Sequence, residues 1–239
     1  MGFVHQIRQR WTDLLMRRAG YDRLGRLATW LATCYIRPYK ARVGVAHRYP
    51  RGYIAPSAEI AHTQLRLGRH VFIGDRVVIF QRHKAGPVEL GDYVELHRDV
   101  IIENGAGGSL QIGERTGVQP RCQFSAYVAP ISIGRRVQIA PACAFYPYDH
   151  GMAPGVPMLE QPLTSRGPIV IEDDVWLGYG VVVLSGVRIG AGAVIGAGAV
   201  VTRDLPAGAV AVGAPARVVK MRDELTSHEA AVAFVAPHQ

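Results

Sequence analysis

Hydrophobic residues recur every six positions through the C-terminal half of the chain. Between 171 and 206 the sequence divides into six blocks, each opening with an aliphatic residue and carrying a second apolar residue at its fifth position. A strand repeats every two residues and a helix every 3.6, so neither produces this period. The period is typical of a hexapeptide β-helix, in which short strands alternate with fixed corners. Gly at the second position is expected to serve those corners, because Gly tolerates backbone angles that other residues avoid.

The same phase extends back towards the first quarter of the chain. Degenerate blocks begin at 54 and 60, the pattern becomes clear at Leu67, and it resumes after each of four insertions. The insertions span 85–89, 108–111, 130–132 and 151–170. All four follow a third block, which predicts a triangular coil with three faces and with its loops at one corner. Successive turns are expected to stack at about the inter-strand spacing of 4.8 Å.

Residues 1–50 show a different, helical spacing of apolar residues. One stripe runs from Val4 to Leu15 and a second from Leu24 to Tyr35, with Gly20 between the helices and Pro38 after them. Residues 1–51 hold eleven Lys and Arg against two acids, so they carry more than the net charge of +8 of the whole chain. We expect a helix pair packed on the body of the protein. The alternative is a basic amphipathic surface that touches anionic membrane.

The composition excludes several classes of protein. The three cysteines, Cys34, Cys122 and Cys143, are odd in number and lack CxxC spacing, which argues against a disulfide framework or a zinc site. Cys122 and Cys143 occupy fifth positions of their blocks and are expected to fill the interior. There is no apolar run of about 20 residues and no apparent secretory signal. We therefore expect a cytoplasmic protein, with no metal and no nucleic acid.

The repeat and two segments resemble the hexapeptide-repeat acyltransferases, in particular the maltose, galactoside and polysaccharide O-acetyltransferases. The segments are GPIVIEDDVWLG and the ending AVGAPARVVK, together with the long loop 151–170. The resemblance covers about residues 54–222. It implies a mainly β fold, a left-handed parallel β-helix at 51–222 with an N-terminal helical segment at 1–50 and a short C-terminal tail at 223–239. It also implies a homotrimer that uses acetyl-CoA.

His150 is the candidate catalytic residue. It ends the block before the long loop, in YPYDHG. In the resembling enzymes a His at this place is the general base that takes a proton from the acceptor hydroxyl, and an imidazole suits this step because imidazoles exchange protons near neutral pH. From spacing alone, a polar surface His beside a loop is an equal alternative. Asp149 is a possible orienter of the imidazole, or a residue that stabilises the turn.

The acceptor site is expected at the same loop. Tyr148, Glu160 and Gln119 are the candidate acceptor-binding residues. The sugar-acetylating relatives carry an Asn where this chain has Gln119, and they have a shorter helical cap, so the acceptor is expected to differ from a free disaccharide. Loop 151–170 is too long to be a simple connector and is expected to cover the acceptor of an adjacent subunit.

The resemblance also implies where acetyl-CoA binds, in a groove between two subunits. Trp176 would line this groove near the pantetheine arm, and small residues beside it would leave room for the arm to contact the backbone. Basic residues would bind the CoA phosphates. The implied donor-binding residues are Trp176, Gly178, Ala197, Gly198, Thr202, Arg203, Arg217 and Lys220. For Arg217 and Lys220 the alternative is a solvated terminal strand.

The sequence therefore predicts a cytoplasmic, trimeric, acetyl-CoA-dependent O-acetyltransferase that acts on a sugar hydroxyl in a polysaccharide or lipid-linked glycan, at the inner face of the membrane if residues 1–50 contact it. Two alternatives stay open. One is N-acetylation of an amino sugar or an antibiotic, and the other is a non-catalytic β-helix scaffold. The sequence does not identify the acceptor.

Overall fold

The chain folds into a parallel β-helix with helices at its N-terminal end and an antiparallel extension at its C-terminal end. The structure is a computed structural model that describes residues 3–224, with side chains from residue 6 onward. The predicted fold class is confirmed. The predicted tail at 223–239 lies outside the described residues, except for the end of a 3₁₀ turn at Arg222–Glu224.

Three faces of parallel strands form about seven turns, and the chain visits the faces in the same order in each turn. The first face contains β1 (Tyr53–Ile54), β4 (Phe72–Ile73), β7 (Glu95–Leu96), β10 (Gly117–Val118), β13 (Gln138–Ile139), β18 (Trp176–Leu177), β21 (Val194–Ile195), β23 (Ala209–Val212) and β24 (Arg217–Met221). The second face contains β2 (Glu59–Ala61), β5 (Val78–Gln81), β8 (Ile101–Gly105), β11 (Gln123–Tyr127), β14 (Ala144–Tyr146), β19 (Val182–Leu184) and β22 (Val200–Val201). The third face contains β3 (Leu65–Leu67), β6 (Val88–Leu90), β9 (Leu110–Ile112), β12 (Ile131–Ile133), β17 (Ile169–Ile171) and β20 (Arg188–Ile189).

The predicted insertions all lie at the corner between the second and third faces, which we call the loop corner. The third-face strand that follows each insertion begins two residues before the predicted block. The strand therefore includes the two residues that precede the aliphatic first position of the block. The longest insertion contains a short antiparallel hairpin of β15 (Asp149–His150) and β16 (Leu163–Thr164). A 3₁₀ turn, Met158–Glu160, lies in the loop that joins these two strands.

Both repeating apolar positions point into the coil. Ile73 and Leu96 at first positions and Val77 at a fifth position have no exposed surface. Cys122 and Cys143 are also buried, as predicted for interior residues. The neighbouring Cys143 and burial both raise the pKa of the Cys122 thiol, which makes it a poor nucleophile.

The role predicted for the second-position glycines is wrong. The left-handed backbone conformation occurs at the fourth position of the blocks instead, for example at Asp174 (φ 59°). The second-position glycines allow the turns to stack closely. A Cβ at Gly68 would lie 2.7 Å from the backbone nitrogen of Asp92, and a Cβ at Gly178 would lie 2.7 Å from that of Ala197. Corner conformation and close stacking are thus separate requirements, met at different positions of the block.

The N-terminal segment contains α1 (Phe3–Met16), α2 (Arg23–Thr33) and α3 (Val43–Arg48), with a 3₁₀ turn at Tyr39–Arg42. These helices cover the first turn of the coil: Met16 and Ala32 are buried in one cluster with Tyr53 and Phe72. The predicted helix pair is therefore packed on the body. The large residues of the predicted apolar stripes mostly lie outward, however, whereas Ala28 and Ala32 of the second stripe lie on the buried side.

The C-terminal end of the coil is closed by a two-stranded hairpin. β23 continues the first face in parallel and β24 folds back on it in antiparallel orientation. Arg217 and Lys220 therefore lie on a closing strand, as the loss of repeat phase after Pro206 predicts. The hairpin covers the end of the coil, where an unpaired edge would otherwise remain.

Candidate active site

His150 lies on the hairpin of the loop corner with its side chain exposed. Its strand follows the second face directly, and backbone pairing with Leu163 fixes the strand in place. Within residues 3–224 the imidazole makes a ring contact with Tyr148, at a centroid distance of 6.5 Å, and neither ring nitrogen has a hydrogen-bond partner. Both nitrogens are thus available to a ligand.

Asp149 is anchored away from the imidazole. The Ser185 hydroxyl donates a hydrogen bond of 2.7 Å to the Asp149 carboxylate, and Arg166 Nε donates to the Ser185 oxygen at 3.3 Å. Neighbouring residues on a strand point to opposite sides, so Asp149 and His150 diverge. The described geometry does not bring the Asp149 carboxylate to the imidazole. Instead, the Asp149 carboxylate joins the hairpin to the following turn of the coil through Ser185, and this contact fixes the strand that carries His150.

The loop beyond His150 is organised by the buried Gln161. Its side-chain oxygen accepts a hydrogen bond of 2.7 Å from the backbone of Ala153, and its amide donates to the carbonyls of Ala153 and Val156. A Cβ at Gly151 would lie 2.9 Å from the Gln161 oxygen, so a larger residue there would displace the Gln161 side chain. The loop is therefore a shaped element, and it carries the predicted Glu160 on its exposed surface.

Three tyrosines lie on the outer side of the second face beside His150, and we call Tyr127, Tyr146 and Tyr148 the tyrosine row. The ring of Tyr148 meets that of Tyr127 at 5.6 Å and that of Tyr146 at 6.1 Å, both nearly edge-to-face. The Tyr148 hydroxyl lies 3.2 Å from the Ser125 hydroxyl. These rings and hydroxyls form an amphipathic surface that ends at the imidazole.

The hydroxyls of Tyr127 and Tyr146 stay protonated at neutral pH. Burial, and then the negative charge of Glu103, raises the pKa of Tyr127. Burial is also the main cause of the raised pKa of Tyr146, whose hydroxyl donates to Gln123 at 3.1 Å. A neutral phenol can both donate and accept a hydrogen bond, as a hydroxyl-rich ligand requires.

A second concave region lies on the first face, near the C-terminal end of the coil. It encloses about 1000 Å³ and is largely apolar, with Trp176 and Tyr179 among its aromatic walls and arginines at its rim. Arg222 donates a hydrogen bond of 2.7 Å to the carbonyl of Gly192 and lies 3.6 Å from the carboxylate of Asp174. We call this region the first-face groove.

The structure divides the predicted donor-binding residues between two places. Trp176, Gly178 and Ala197 line the first-face groove, and Gly198 lies at the corner beyond it. Thr202 and Arg203 follow β22 and so lie at the loop corner, two turns beyond His150. In a three-sided coil this corner is opposite the first face. One chain alone does not bring the two groups together.

The acceptor-binding residues are divided in the same way. Tyr148 lies next to His150, whereas Gln119 follows β10 at the corner between the first and second faces. There Gln119 lines a cavity of about 80 Å³ with Tyr93 and Glu95. Within one chain Gln119 is therefore remote from the imidazole.

Several residues of the site are missing from the sequence prediction. Tyr127 could have been found, because Tyr127 and Tyr148 hold the same place in the aligned blocks FSAYVA and FYPYDH. Ser185 and Arg222 carried no such signal. Their roles depend on the hairpin and on the closing strand, both of which lie outside the repeat.

The comparisons with known proteins agree with the repeat and the fold. Residues 168–203 match the family model described as bacterial transferase hexapeptide (six repeats). A 2,3,4,5-tetrahydropyridine-2,6-dicarboxylate N-acetyltransferase of Staphylococcus aureus is 46% identical over 61 residues, which is 26% of this chain and 26% of that protein. The chain thus aligns with about a quarter of the length of the curated relatives it matches.

Solved structures of acyltransferases share the fold over more of the chain. The polysialic acid O-acetyltransferase OatWY is 25% identical with a TM-score of 0.50, covering 69% of this chain and 85% of that one. The polySia specific acetyltransferase NeuO has a TM-score of 0.58 at 22% identity, covering 71% and 82%. AntD, an N-acyltransferase from Bacillus cereus solved with dTDP and 3-hydroxybutyryl-CoA, has a TM-score of 0.51 at 18% identity, covering 68% and 82%.

Proposed function

We propose, since the chain is a hexapeptide-repeat protein with the β-helix fold of the acyltransferases, that it transfers an acetyl group from acetyl-CoA to a sugar hydroxyl of a glycan. The observation that carries this proposal is the exposed imidazole of His150, fixed on a hairpin at the end of the tyrosine row. A hydroxyl acceptor needs a base, because the neutral oxygen is a weak nucleophile until its proton is removed.

The reaction follows from that arrangement. His150 takes the proton of the acceptor hydroxyl as the oxygen attacks the thioester carbonyl. The tetrahedral intermediate collapses to the acetyl ester and releases the CoA thiolate, which then takes the proton from the imidazolium. Asp149 and Ser185 contribute by fixing the strand on which His150 lies. The chain's own residues thus account for the transfer of the proton and the position of the acceptor.

The tyrosine row supplies the acceptor surface. Aromatic rings offer apolar contact area to the face of a sugar ring, and their hydroxyls hydrogen-bond to its edge. Tyr148 lies between the imidazole and Tyr127, so an acceptor unit on Tyr148 presents a hydroxyl towards His150. The similarity to a polysialic acid O-acetyltransferase supports a glycan acceptor.

Two copies of the chain are needed to build one site. The loop corner with His150 and Arg203 would face the first-face groove of a neighbouring copy, where Trp176 lines the pantetheine arm of acetyl-CoA. Arg217 and Lys220 on the closing strand would meet the CoA phosphates. Loop 151–162 exposes four apolar side chains that a neighbouring copy would cover: Met152, Val156, Met158 and Leu159. We propose a homotrimer, which the resemblance to the hexapeptide-repeat acyltransferases implies, with loop 151–170 over the acceptor of the adjacent subunit.

The proposal is tested by following CoA release from acetyl-CoA with polysaccharides, oligosaccharides and amino sugars as acceptors. We expect turnover with a hydroxyl acceptor. We also expect His150→Ala to lower kcat by about 10²–10⁴-fold. His83→Ala, which removes another exposed histidine, is the matched control and should be active.

Each alternative has its own outcome in this assay. Turnover confined to amino sugars, with an amide product, would assign N-acetylation. If the protein assembles but releases no CoA with any acceptor, the result would support a non-catalytic scaffold. Activity of His150→Ala within a few-fold of wild type would remove the imidazole from the mechanism.

A further inference from the structure

Helix α2 has its residue sizes inverted relative to an ordinary surface helix. The buried residues of α2 are all small: Gly25, Ala28, Thr29, Ala32 and Thr33. Its large apolar residues are exposed, and Leu24 (77% exposed), Leu27 (52%) and Trp30 (54%) lie in solvent. A surface helix normally places such side chains against the core.

The two helices approach closely, since the Thr12 hydroxyl of α1 lies 3.2 Å from the Ala32 carbonyl oxygen of α2. A Cβ at Gly25 would lie 2.7 Å from the backbone nitrogen of Gly20, in the segment that connects the helices, so only glycine fits at this turn. The hydroxyls of Thr29 and Thr33 donate to carbonyls one turn earlier on α2 and are satisfied within the helix. Small residues on the buried side and large apolar residues outside leave α2 with an exposed apolar face, as in helices that lie in a membrane interface.

α1 adds a second apolar stripe on the same outward side. Ile7 (51% exposed), Trp11 (47%) and Leu14 (61%) recur at helical spacing. The Trp11 indole donates to the Leu31 carbonyl of α2 at 3.1 Å, which joins the two helices at this surface. Both helices contact the coil through Met16 and Ala32, on the opposite side. The two stripes therefore form one face directed away from the β-helix, which we call the outward helix face.

Basic side chains surround this face. Arg10 lies one turn before Leu14 on α1, Arg17 and Arg18 directly follow α1, and Arg23 begins α2; all four are exposed. Residues 1–51 carry eleven basic and two acidic side chains. An apolar face edged by arginines complements a surface that offers anionic head groups above hydrocarbon.

We propose that the outward helix face docks on an anionic lipid bilayer and holds the β-helix at the membrane surface. The helices lie on the bilayer and do not span it, because no helix within residues 3–224 has the length and apolarity to cross a membrane. A second copy is the poorer occupant, because two such faces would bring their positive charges together. The docked face leaves the opposite side of the helices free to cap the coil.

The test is co-sedimentation of the full-length protein with phosphatidylcholine vesicles, with and without phosphatidylglycerol. We expect binding to the anionic vesicles at low salt and a loss of roughly tenfold or more in apparent affinity at high salt. Leu24→Gln with Leu27→Gln should reduce binding by at least about tenfold, because about two buried apolar side chains are lost. Val219→Gln removes an exposed apolar residue of the closing strand and serves as the matched control, with unchanged binding.

A charge variant keeps the proposal testable if the leucine variant fails to fold. Arg10→Gln with Arg17→Gln retains the apolar face and should weaken binding to anionic vesicles by roughly tenfold and reduce its salt dependence. Circular dichroism and light scattering of each variant report folding and mass. Full-length protein that fails to bind anionic vesicles at low salt would overturn the proposal. So would a leucine variant that binds as wild type or that changes the oligomeric mass, since the face would then be a subunit contact.

Discussion

A buried polar pair holds the loop corner together in the N-terminal turns of the coil. His62 Nδ1 accepts a hydrogen bond of 3.1 Å from the backbone of Gln64, so Nε2 carries the proton and donates to Asn104 at 3.0 Å. The Asn104 amide donates in turn to the carbonyls of Gly86 and Gly108. One imidazole and one amide thereby satisfy the backbone of two successive insertions.

The protonation of His62 makes the stability of the protein depend on pH. Burial holds the pKa of His62 below its ordinary value of 6.5, although the hydrogen bond to Asn104 opposes this shift. Below about pH 6.5 the unfolded chain takes up a proton that the folded chain does not, so the free energy of unfolding decreases as the pH falls. We expect urea midpoints measured from pH 7.5 to 5 to fall more steeply for wild type than for His62→Gln. Equal slopes would show that His62 contributes no proton linkage.

The tyrosine row gives a prediction about substrate binding. We expect Tyr148→Ala to raise the KM for the acceptor by roughly tenfold, because an aromatic contact is lost, and to leave the KM for acetyl-CoA unchanged. Tyr148→Phe should have a smaller effect, because the ring remains. Tyr179→Ala is the matched control: it removes an exposed tyrosine of the first-face groove and should raise the donor KM instead. Equal effects on both KM values would contradict the assignment of separate surfaces.

At the scale of single residues, the sequence predicts the location of those residues whose position is fixed by the repeat. His150 and Tyr148 end a block, so their place at the loop corner follows from the phase of six. The partner of Asp149 was not predictable. Ser185 is 36 residues away and reaches Asp149 only because the hairpin folds back across a turn of the coil. Long-range contacts made by irregular segments leave no periodic signal.

At the scale of secondary-structure elements, the block encodes the strands well and the corners less well. Interior positions are specified by apolar residues, so their burial follows from the pattern alone. The corner conformation falls on residues as different as Arg76, Asp174 and Gly180, all with positive φ. No single residue type marks the corner, because the hydrogen bonds of the neighbouring turn impose the backbone angle there. The glycines at the second positions of the blocks are needed instead because the turns stack too closely for a Cβ there.

The closing strand gives a prediction about the donor. We expect Arg217→Ala with Lys220→Ala to raise the KM for acetyl-CoA much more than it lowers kcat, because contacts with the phosphates are made equally in the ground and transition states. Arg121→Ala, an exposed arginine in an earlier turn, should leave both constants unchanged. Initial rates over a range of acetyl-CoA concentrations measure both constants. An unchanged donor KM in the double variant would place the phosphates elsewhere.

The helices show how an amphipathic pattern can predict an element and not its orientation. Leu24 and Leu27 identify α2 correctly, yet they lie on the outer side, and the buried side is made of Ala28, Thr29 and Ala32. A sequence pattern shows only which residues share a face. Which face packs depends also on side-chain size, because the small residues of α2 let it lie close to α1, where Thr12 reaches the Ala32 carbonyl.

At the scale of the whole molecule, stability depends on a narrow and continuous interior. Val187 is 1% exposed at the fifth position of its block. We expect Val187→Asp to give an unfolded or dissociated protein, because an unpaired carboxylate in this interior costs about 3 kcal/mol or more. Val219→Asp, at an exposed position, should melt close to wild type in a thermal scan followed by circular dichroism. Normal melting of Val187→Asp would mean that the interior tolerates charge.

The separation of His150 from the first-face groove has a consequence for how such a protein can diversify. Successive turns repeat about every 18 residues, as Trp176 and Val194 do, and each turn contacts only its neighbours. Duplication or loss of an 18-residue unit before the hairpin of β15 and β16 would lengthen or shorten the second face. The His150 imidazole and the closing strand would keep their positions relative to each other. Under the proposed function, a lineage could therefore change the span of its acceptor surface by copying whole turns. Changes in loop length at one corner would alter selectivity without disturbing the interior.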